Sequence, residues 1–346
     1  MAAHSTSIAA KPLAGRTAWL ITDDKVGMQV QVKGVADALG LAWVAKEVAP
    51  RGLWKLAAPW GPPDPRDRFA AADGTFGPPW PDVAIATGRL SIPYIRALRR
   101  RAGLATYTVV LQDPRTGPKT ADLIWVPEHD RRRGANVMTT LTAAHSFTAA
   151  RLDGLAGETP DWLHDLSRPR IAVILGGNST VHRYTAEDDA RMGAALGSMA
   201  QLGASFLITA SRRTHSGLLE AVTAATAGAP RFIWDGEGTN PYPQFLAHAD
   251  QFVVTGDSVN MTGEPLVTGR PVWVFEPSGG SAKFARFHAS LRRYGATRTL
   301  PNTVTSLDAW SYTPLDAADL IAREIELRWA RRQALLAGSG QRAAGN

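Results

Sequence analysis

The sequence predicts an α/β protein built from two Rossmann-like domains that face each other across a cleft. Three observations predict it. Short β-branched runs alternate with stretches of helical period along most of the 346 residues, which is the rhythm of βαβ units and a parallel sheet. That rhythm lapses between about residues 141 and 168, where Gly154, Gly157 and Pro160 fall in an aperiodic stretch, and then restarts. The length also gives each half enough chain to bury a core of its own.

Residues 17–21 read as the first strand. Val32, Val35, Ala36 and Leu39 then recur at helical spacing, which predicts a helix over 27–39. Residues 42–48 form a second strand. From 50 to 81 the rhythm breaks into a proline-rich stretch with Trp54, Trp60 and Trp80, expected to be a large surface insertion. Strands at 83–86, 106–111 and 123–126 and a helix over 92–101 complete the first domain, residues 16–150. The second domain, 169–315, opens with a strand at 171–175 and a helix over 186–202. Thr185 is its N-cap, and Asp188 stands in the reciprocal position. Strands at 205–209, 231–234, 251–255 and 271–275 follow. Residues 1–15 read as a disordered tail, and 316–346 as a basic terminal helix with a tail.

The hydrophobic fraction of 45% and charged fraction of 20% are those of a folded globular chain. No apolar run reaches membrane-spanning length, and the first fifteen residues lack the apolar centre of a signal peptide. With no cysteine, disulfides, thiolate catalysis and Cys-based zinc sites are excluded. A cytoplasmic location is expected. The net charge of +7 gathers at Arg96, Arg99, Arg100 and Arg101, at Arg131, Arg132 and Arg133, and at Arg328, Arg331 and Arg332. Such clusters suit a diphosphate ligand, or a peripheral position on an anionic membrane at its inner face. The aromatic-basic signatures of RNA-binding modules are missing, so nucleic acid is not an expected partner.

Absences narrow the chemistry. No G-x-G-x-x-G follows a strand, and Gly117-Pro118-Lys119-Thr120 lacks the upstream glycine of a P-loop. There is no Asp-x-Asp and no His-Glu-x-x-His. No cofactor and no metal are expected.

The strongest candidate segment is Val253-Val254-Thr255-Gly256-Asp257-Ser258-Val259-Asn260-Met261-Thr262-Gly263-Glu264-Pro265, where a strand ends in a small polar loop and a helix begins. Backbone N–H groups in such a turn attract phosphate. Glu264 could accept hydrogen bonds from the vicinal hydroxyls of a ribose. The alternative is that Asp257 or Ser258 is only a helix cap, with Glu264 complementing the dipole. Gly176-Gly177-Asn178-Ser179 ends the strand at 171–175 and allows close approach of backbone to a phosphate. Arg212 and Arg213 follow the strand at 205–209 and suit a diphosphate through forked donors. In open α/β sheets, ligands bind beyond the carboxyl ends of the strands, where all three loops lie. In the first half, Asp23, Asp24 and Asp113 are candidate bases toward an acceptor hydroxyl. Lys25, Gly27, Gln29, Gln112 and Arg115 are their acceptor-side neighbours.

These loops together resemble a known family. The stretches are Thr22-Asp23-Asp24-Lys25-Val26-Gly27-Met28-Gln29, Leu111-Gln112-Asp113-Pro114-Arg115, Val126-Pro127-Glu128-His129-Asp130, Gly176-Gly177-Asn178-Ser179, Thr255-Gly256-Asp257-Ser258-Val259-Asn260-Met261 and Lys283-Phe284-Ala285-Arg286-Phe287-His288. They are similar to bacterial proteins related to the plant mitochondrial fission factor, a family classed with glycosyltransferases of the GT-B fold. More remotely, residues 257–264 resemble the donor site of the lipid-linked glucosaminyltransferase of peptidoglycan synthesis. That resemblance implies ribose binding by Glu264, diphosphate binding by the 258–262 turn, and a base near Trp234 and Asp235. The expected activity is metal-independent sugar transfer from a nucleoside-diphosphate sugar to a lipid-linked or cell-envelope acceptor. A nucleotide-sugar 2-epimerase and a non-catalytic membrane-recruited adaptor of the same fold are the alternatives.

Overall fold

The computed structural model describes residues 11–24, 26–69 and 71–344. The chain divides into two compact units. The first comprises Met1–Thr140, Ala144–Ser146 and Ala317–Asn346, and the second Leu141–Ala143 and Phe147–Asp316.

In the first unit the elements are β1 (Thr17–Thr22), α1 (Val26–Leu39), β2 (Ala42–Glu47), α2 (Gly52–Ala57), β3 (Val83–Thr87), α3 (Ile92–Ala102), β4 (Tyr107–Leu111), β5 (Leu123–Pro127) and β6 (Val137–Thr140). All six strands are parallel, in the order β2-β1-β3-β4-β5-β6. The order reverses between β1 and β3, so the loops after those two strands flank the crevice where such sheets bind ligands. β3, β4 and β5 are buried along their whole length, which explains why they read as unbroken apolar runs.

The second unit contains α4 (Ala149–Ala156), β7 (Arg170–Leu175), α5 (Ala186–Gln201), β8 (Ser205–Ala210), α6 (Ser216–Ala225), β9 (Arg231–Ile233), α7 (Tyr242–His248), β10 (Gln251–Thr255), α8 (Val259–Gly263), β11 (Val272–Phe275), α9 (Ala282–Tyr294) and β12 (Thr297–Thr299). Its sheet is also parallel, in the order β12-β11-β10-β7-β8-β9, and its switch point lies between β7 and β10. Strand alternation splits the core in two. Ala172, Ile174, Phe252 and Val254 pack with Phe245 and Phe287. Ile171, Val173, Leu175 and Val253 pack with Met192, Leu196 and Leu218. The Thr185–Asp188 capping box of α5 is present in full. The last helix, α10 (Ala317–Ala344), belongs to the first unit. There Arg332 reaches Asp122 at 3.2 Å and Arg328 reaches the Ala135 carbonyl at 3.0 Å.

Three expectations need correction. Within the tail expected over 1–15, residues 11–15 form a turn in which Leu13 is fully buried. The stretch over 50–81 is only partly a surface insertion. Phe69 and Phe76 stack at 5.5 Å, and Phe76 lies 5.0 Å from Tyr94 and 6.0 Å from Trp19, so these rings seal one face of the sheet. The edge strands β6 and β12 went unforeseen, because four and three residues are too short to show a period.

Candidate functional site

Gly176 and Gly177 end β7, and Gly256, Asp257 and Ser258 end its neighbour β10. Asp257 draws these loops together. Its carboxylate accepts the Gly177 N–H at 3.1 Å, the Tyr184 hydroxyl at 2.9 Å and an Arg213 N–H at 2.9 Å. The Asp257 side chain is fully buried. The glycines are required by this approach. A Cβ on Gly176 would fall 2.1 Å from an Asp257 oxygen, and one on Gly177 would fall 1.9 Å from the Arg213 carbonyl. Thr214 bonds the carbonyls of Leu175 and Gly176, joining the loop after β8 to the same knot.

This geometry revises several donor-side expectations. Asp257 does not present a free carboxylate, since both oxygens hold protein donors. Arg213 is a strut, bonded to Asp257 and to the carbonyls of Gly177 and Asn178 at 3.2 and 3.1 Å. Asn178 accepts the Tyr184 N–H, and Ser179 accepts the N–H groups of Val181 and His182, so both side chains brace their own loop. Thr262 is fully buried, and Met261 packs against the core. Arg212, in the loop after β8, and Asn260, in the first turn of α8, are exposed. Ser258 caps α8, accepting the Met261 N–H at 3.3 Å. That helix has only five residues before a 3-10 turn over Glu264–Thr268, so its dipole is small and the first free N–H groups supply what anion affinity it has. Trp234 follows the edge strand β9 and is half-buried, with its indole N–H on the Glu237 carbonyl; Asp235 is exposed.

Glu264 is the most perturbed of the candidates. The Tyr242 hydroxyl donates to its Oε2 at 2.6 Å. Burial lifts the Glu264 carboxyl to a pKa of about 7, partly opposed by that hydrogen bond. Its Oε1 has no partner among the described residues.

Beside the Gly256 loop lies a pocket of about 160 Å³, lined by His182, Ser281, Phe284, His288 and the ion-paired Glu276 and Arg292. His288 donates its Nε2–H to the Gly256 carbonyl at 2.8 Å, and burial lowers the pKa of both histidines. Tyr184, Tyr242 and His182 were not foreseen. The two tyrosines bond partners 73 and 22 residues away, and His182 packs edge-on against Phe284, which no local pattern shows.

In the first unit, Asp23 is buried and Asp24 exposed, and both line a pocket of about 410 Å³ with Glu47, Arg51 and Lys55. Gly27 is exposed, Gln29 donates to the Asp23 carbonyl at 3.4 Å, and Lys25 lies outside the described residues. A second pocket of about 280 Å³ gathers Met28, Gly88, Arg89, Gln112, Asp113 and Arg115. Gln112 and Arg115 hold left-handed backbone at φ 77° and 57°, which non-glycine residues seldom adopt and which concentrates at working loops. Asp113 is ion-paired with Arg132 at 2.7 Å and accepts the Arg115 N–H, both through Oδ1, so that oxygen is held by its own loops. Gly88 and Arg89, after β3, were missed. Gly88 has φ +87°, and a Cβ there would sit 2.7 Å from the Met28 sulfur.

The family model for mitochondrial fission ELM1 matches residues 26–329. The chain belongs to the mitochondrial fission ELM1 family. One relative is the mitochondrial fission protein ELM1 of Arabidopsis thaliana, 29% identical over 287 residues, which are 75% of this chain and 67% of the plant protein. Among solved structures, the UDP-GlcNAc 2-epimerase of Methanocaldococcus jannaschii aligns with TM-score 0.52 and 8% identity, covering 89% of this chain and 99% of its own. A second UDP-N-acetylglucosamine 2-epimerase aligns with TM-score 0.53 and 10% identity, covering 94% and 97%. At such identities the likeness concerns the fold, an α/β architecture of two parallel six-stranded sheets. Among the described residues no helix is long and apolar enough to cross a membrane, and no group of three His, Asp or Glu side chains could hold a metal ion.

Proposed function

We propose that the protein is a metal-independent glycosyltransferase that binds a nucleoside-diphosphate sugar at the β7–β10 switch point. Its acceptor is lipid-linked or belongs to the cell envelope. The observation that carries this reading is the buried Asp257 knot, which fixes three strand-end loops before any ligand arrives. Fixed N–H groups at the ends of such strands stabilise a departing diphosphate without reorganising. Glu264 is the ribose acceptor through Oε1, Trp234 borders the base, and Arg212 is the exposed cation for the diphosphate. In the transfer, a carboxylate takes the proton of an acceptor hydroxyl, whose oxygen attacks the anomeric carbon. The bond from that carbon to the diphosphate breaks, and the nucleoside diphosphate leaves with the electron pair. Asp23 and Asp24 are the carboxylates proposed for this step. Calorimetric titration with uridine, guanosine and thymidine diphosphates tests the reading, and a folded protein that binds none of them overturns it.

The fold likeness to 2-epimerases supports a second reading, inversion at the sugar C2 without an acceptor. The name of the Arabidopsis relative supports a third, a non-catalytic membrane-recruited adaptor.

A further inference from the structure

We propose that the pocket between α3 and the 116–120 turn binds the phosphodiester headgroup of an anionic phospholipid and seats the first unit on a bilayer. The pocket measures about 460 Å³ and is lined by Arg96, Arg99, Arg100, Thr116, Lys119 and Thr120. Two of its cations are fixed as walls. Arg96 donates to the Pro59 and Trp60 carbonyls at 3.0 and 2.8 Å, and Arg99 pairs with Asp122 at 2.9 Å. The other two, Arg100 and Lys119, are exposed and have no side-chain partner among the described residues. Asp122 does not balance them, because Arg332 also binds it. The Thr120 hydroxyl donates to the Gly117 carbonyl at 2.7 Å and accepts from the Thr116 hydroxyl at 2.6 Å, so both brace the turn that carries Lys119. Cations converging on one open cavity suit a phosphate oxygen cluster.

In the remaining arginine clusters most side chains are already held by the protein. Arg132 and Arg133 are engaged with Asp113 and with carbonyls of their own loop, and Arg328 and Arg332 with Glu324, Ala135 and Asp122.

The surface joined to the pocket through Arg96 decides what carries the phosphate. Helix α2 buries none of its residues, and Leu53, Leu56 and Trp60 are 78%, 74% and 65% exposed. Arg96 ties Trp60 to α3, and Leu104, just past the end of α3, is 63% exposed. Leucines with a tryptophan beside lysine and arginine form an interfacial surface, with the aliphatic tips in the acyl boundary and the cations at headgroup level. A nucleic-acid groove would instead line its cations with stacking aromatic faces. The inference is consistent with the lipid-linked acceptor of the proposed function and rests on no step of sugar transfer.

Vesicle flotation tests it, using neutral phosphatidylcholine vesicles and the same vesicles with phosphatidylglycerol added. Wild-type protein is expected to float only with the anionic vesicles. Each cation near such a surface contributes about fivefold, so Arg100→Ala with Lys119→Ala should weaken binding roughly twenty-five-fold. Leu56→Ser with Trp60→Ser should remove the part that survives high salt. Nucleoside-diphosphate titration should be unchanged in both variants, which separates failure here from failure of the donor reading. Equal recovery on neutral vesicles, recovery on neither, or a double variant that floats like wild type overturns the proposal. So does displacement from vesicles by an RNA oligonucleotide acting through Arg100 and Lys119. Inorganic phosphate that binds as tightly as the vesicles would reassign the pocket to a soluble ligand.

Discussion

If Glu264 holds the ribose as proposed, a single proton there should couple stability and ligand affinity with opposite signs. The folded carboxyl has a pKa of about 7, against a reference of 4.5. The folded chain therefore holds a proton that the unfolded chain releases. This contribution to stability is complete below the unfolded value and is lost as pH rises through the folded one. A carboxylate accepts ribose hydroxyls more strongly than the neutral acid does. Across one pH unit either side of that pKa, the melting temperature should fall while nucleotide affinity rises. Glu264→Gln should flatten both slopes. It also keeps an acceptor for the buried Tyr242 hydroxyl, which Glu264→Ala does not. Alanine should weaken nucleotide binding roughly tenfold to hundredfold, for a lost contact of about 1.5–3 kcal/mol, and should also lower stability by about 1–3 kcal/mol through the stranded hydroxyl. Calorimetry and thermal melts on the three proteins over that pH range check both effects. An affinity slope retained in Glu264→Gln would remove Glu264 from the ribose contact.

The loops that end β7, β8 and β10 behave as one element, because Asp257 and Thr214 stitch them across the sheet. Gly177→Ala places a methyl against the Arg213 carbonyl, where neither backbone can move without breaking the knot. Overpacking of this kind costs about 1–3 kcal/mol. In a unit of this size it should lower the melting temperature by roughly 2–4 °C per kcal/mol. Nucleotide affinity should fall along with it, whereas Gly228→Ala, at a turn glycine with open space around it and no positive φ, should leave affinity unchanged. The same elements show what a sequence discloses. β7 and β10 were legible because strands buried on both faces are unbroken apolar runs, and the glycines of the β7 loop marked a close approach. What they approach was not legible. Asp257 lies 80 residues from Gly177, and whether its side chain faces a ligand or a protein N–H depends on strand order. Gly88 was missed for a related reason: it matters because β3 neighbours β1, a fact of topology.

At the scale of the whole molecule the question is whether the fold runs a reaction and which one, since a fold shared with 2-epimerases does not itself assign an activity. Two conditions apply to any of them. First, with no metal-holding cluster among the described residues, nucleoside-diphosphate affinity should be the same with EDTA as with magnesium; affinity lost to EDTA and restored by metal would refute the metal-independent account. Second, the reaction must balance around the nucleotide. An epimerase needs no acceptor, and UDP-N-acetylglucosamine supplied alone would yield the inverted C2 isomer. A transferase releases free nucleoside diphosphate only as fast as an acceptor hydroxyl consumes the sugar, apart from slow hydrolysis. Release should therefore rise when a membrane extract containing lipid-linked acceptors is added, and labelled sugar should enter the lipid fraction. Replacing Asp23 and Asp24 by asparagine should abolish that transfer while leaving nucleotide affinity intact, since a base acts on the acceptor and the donor loops belong to the other unit. A variant that still transfers sugar at the wild-type rate would show that neither carboxylate is the base. A wild-type protein that binds nucleotide yet neither inverts nor transfers would leave the adaptor reading in place.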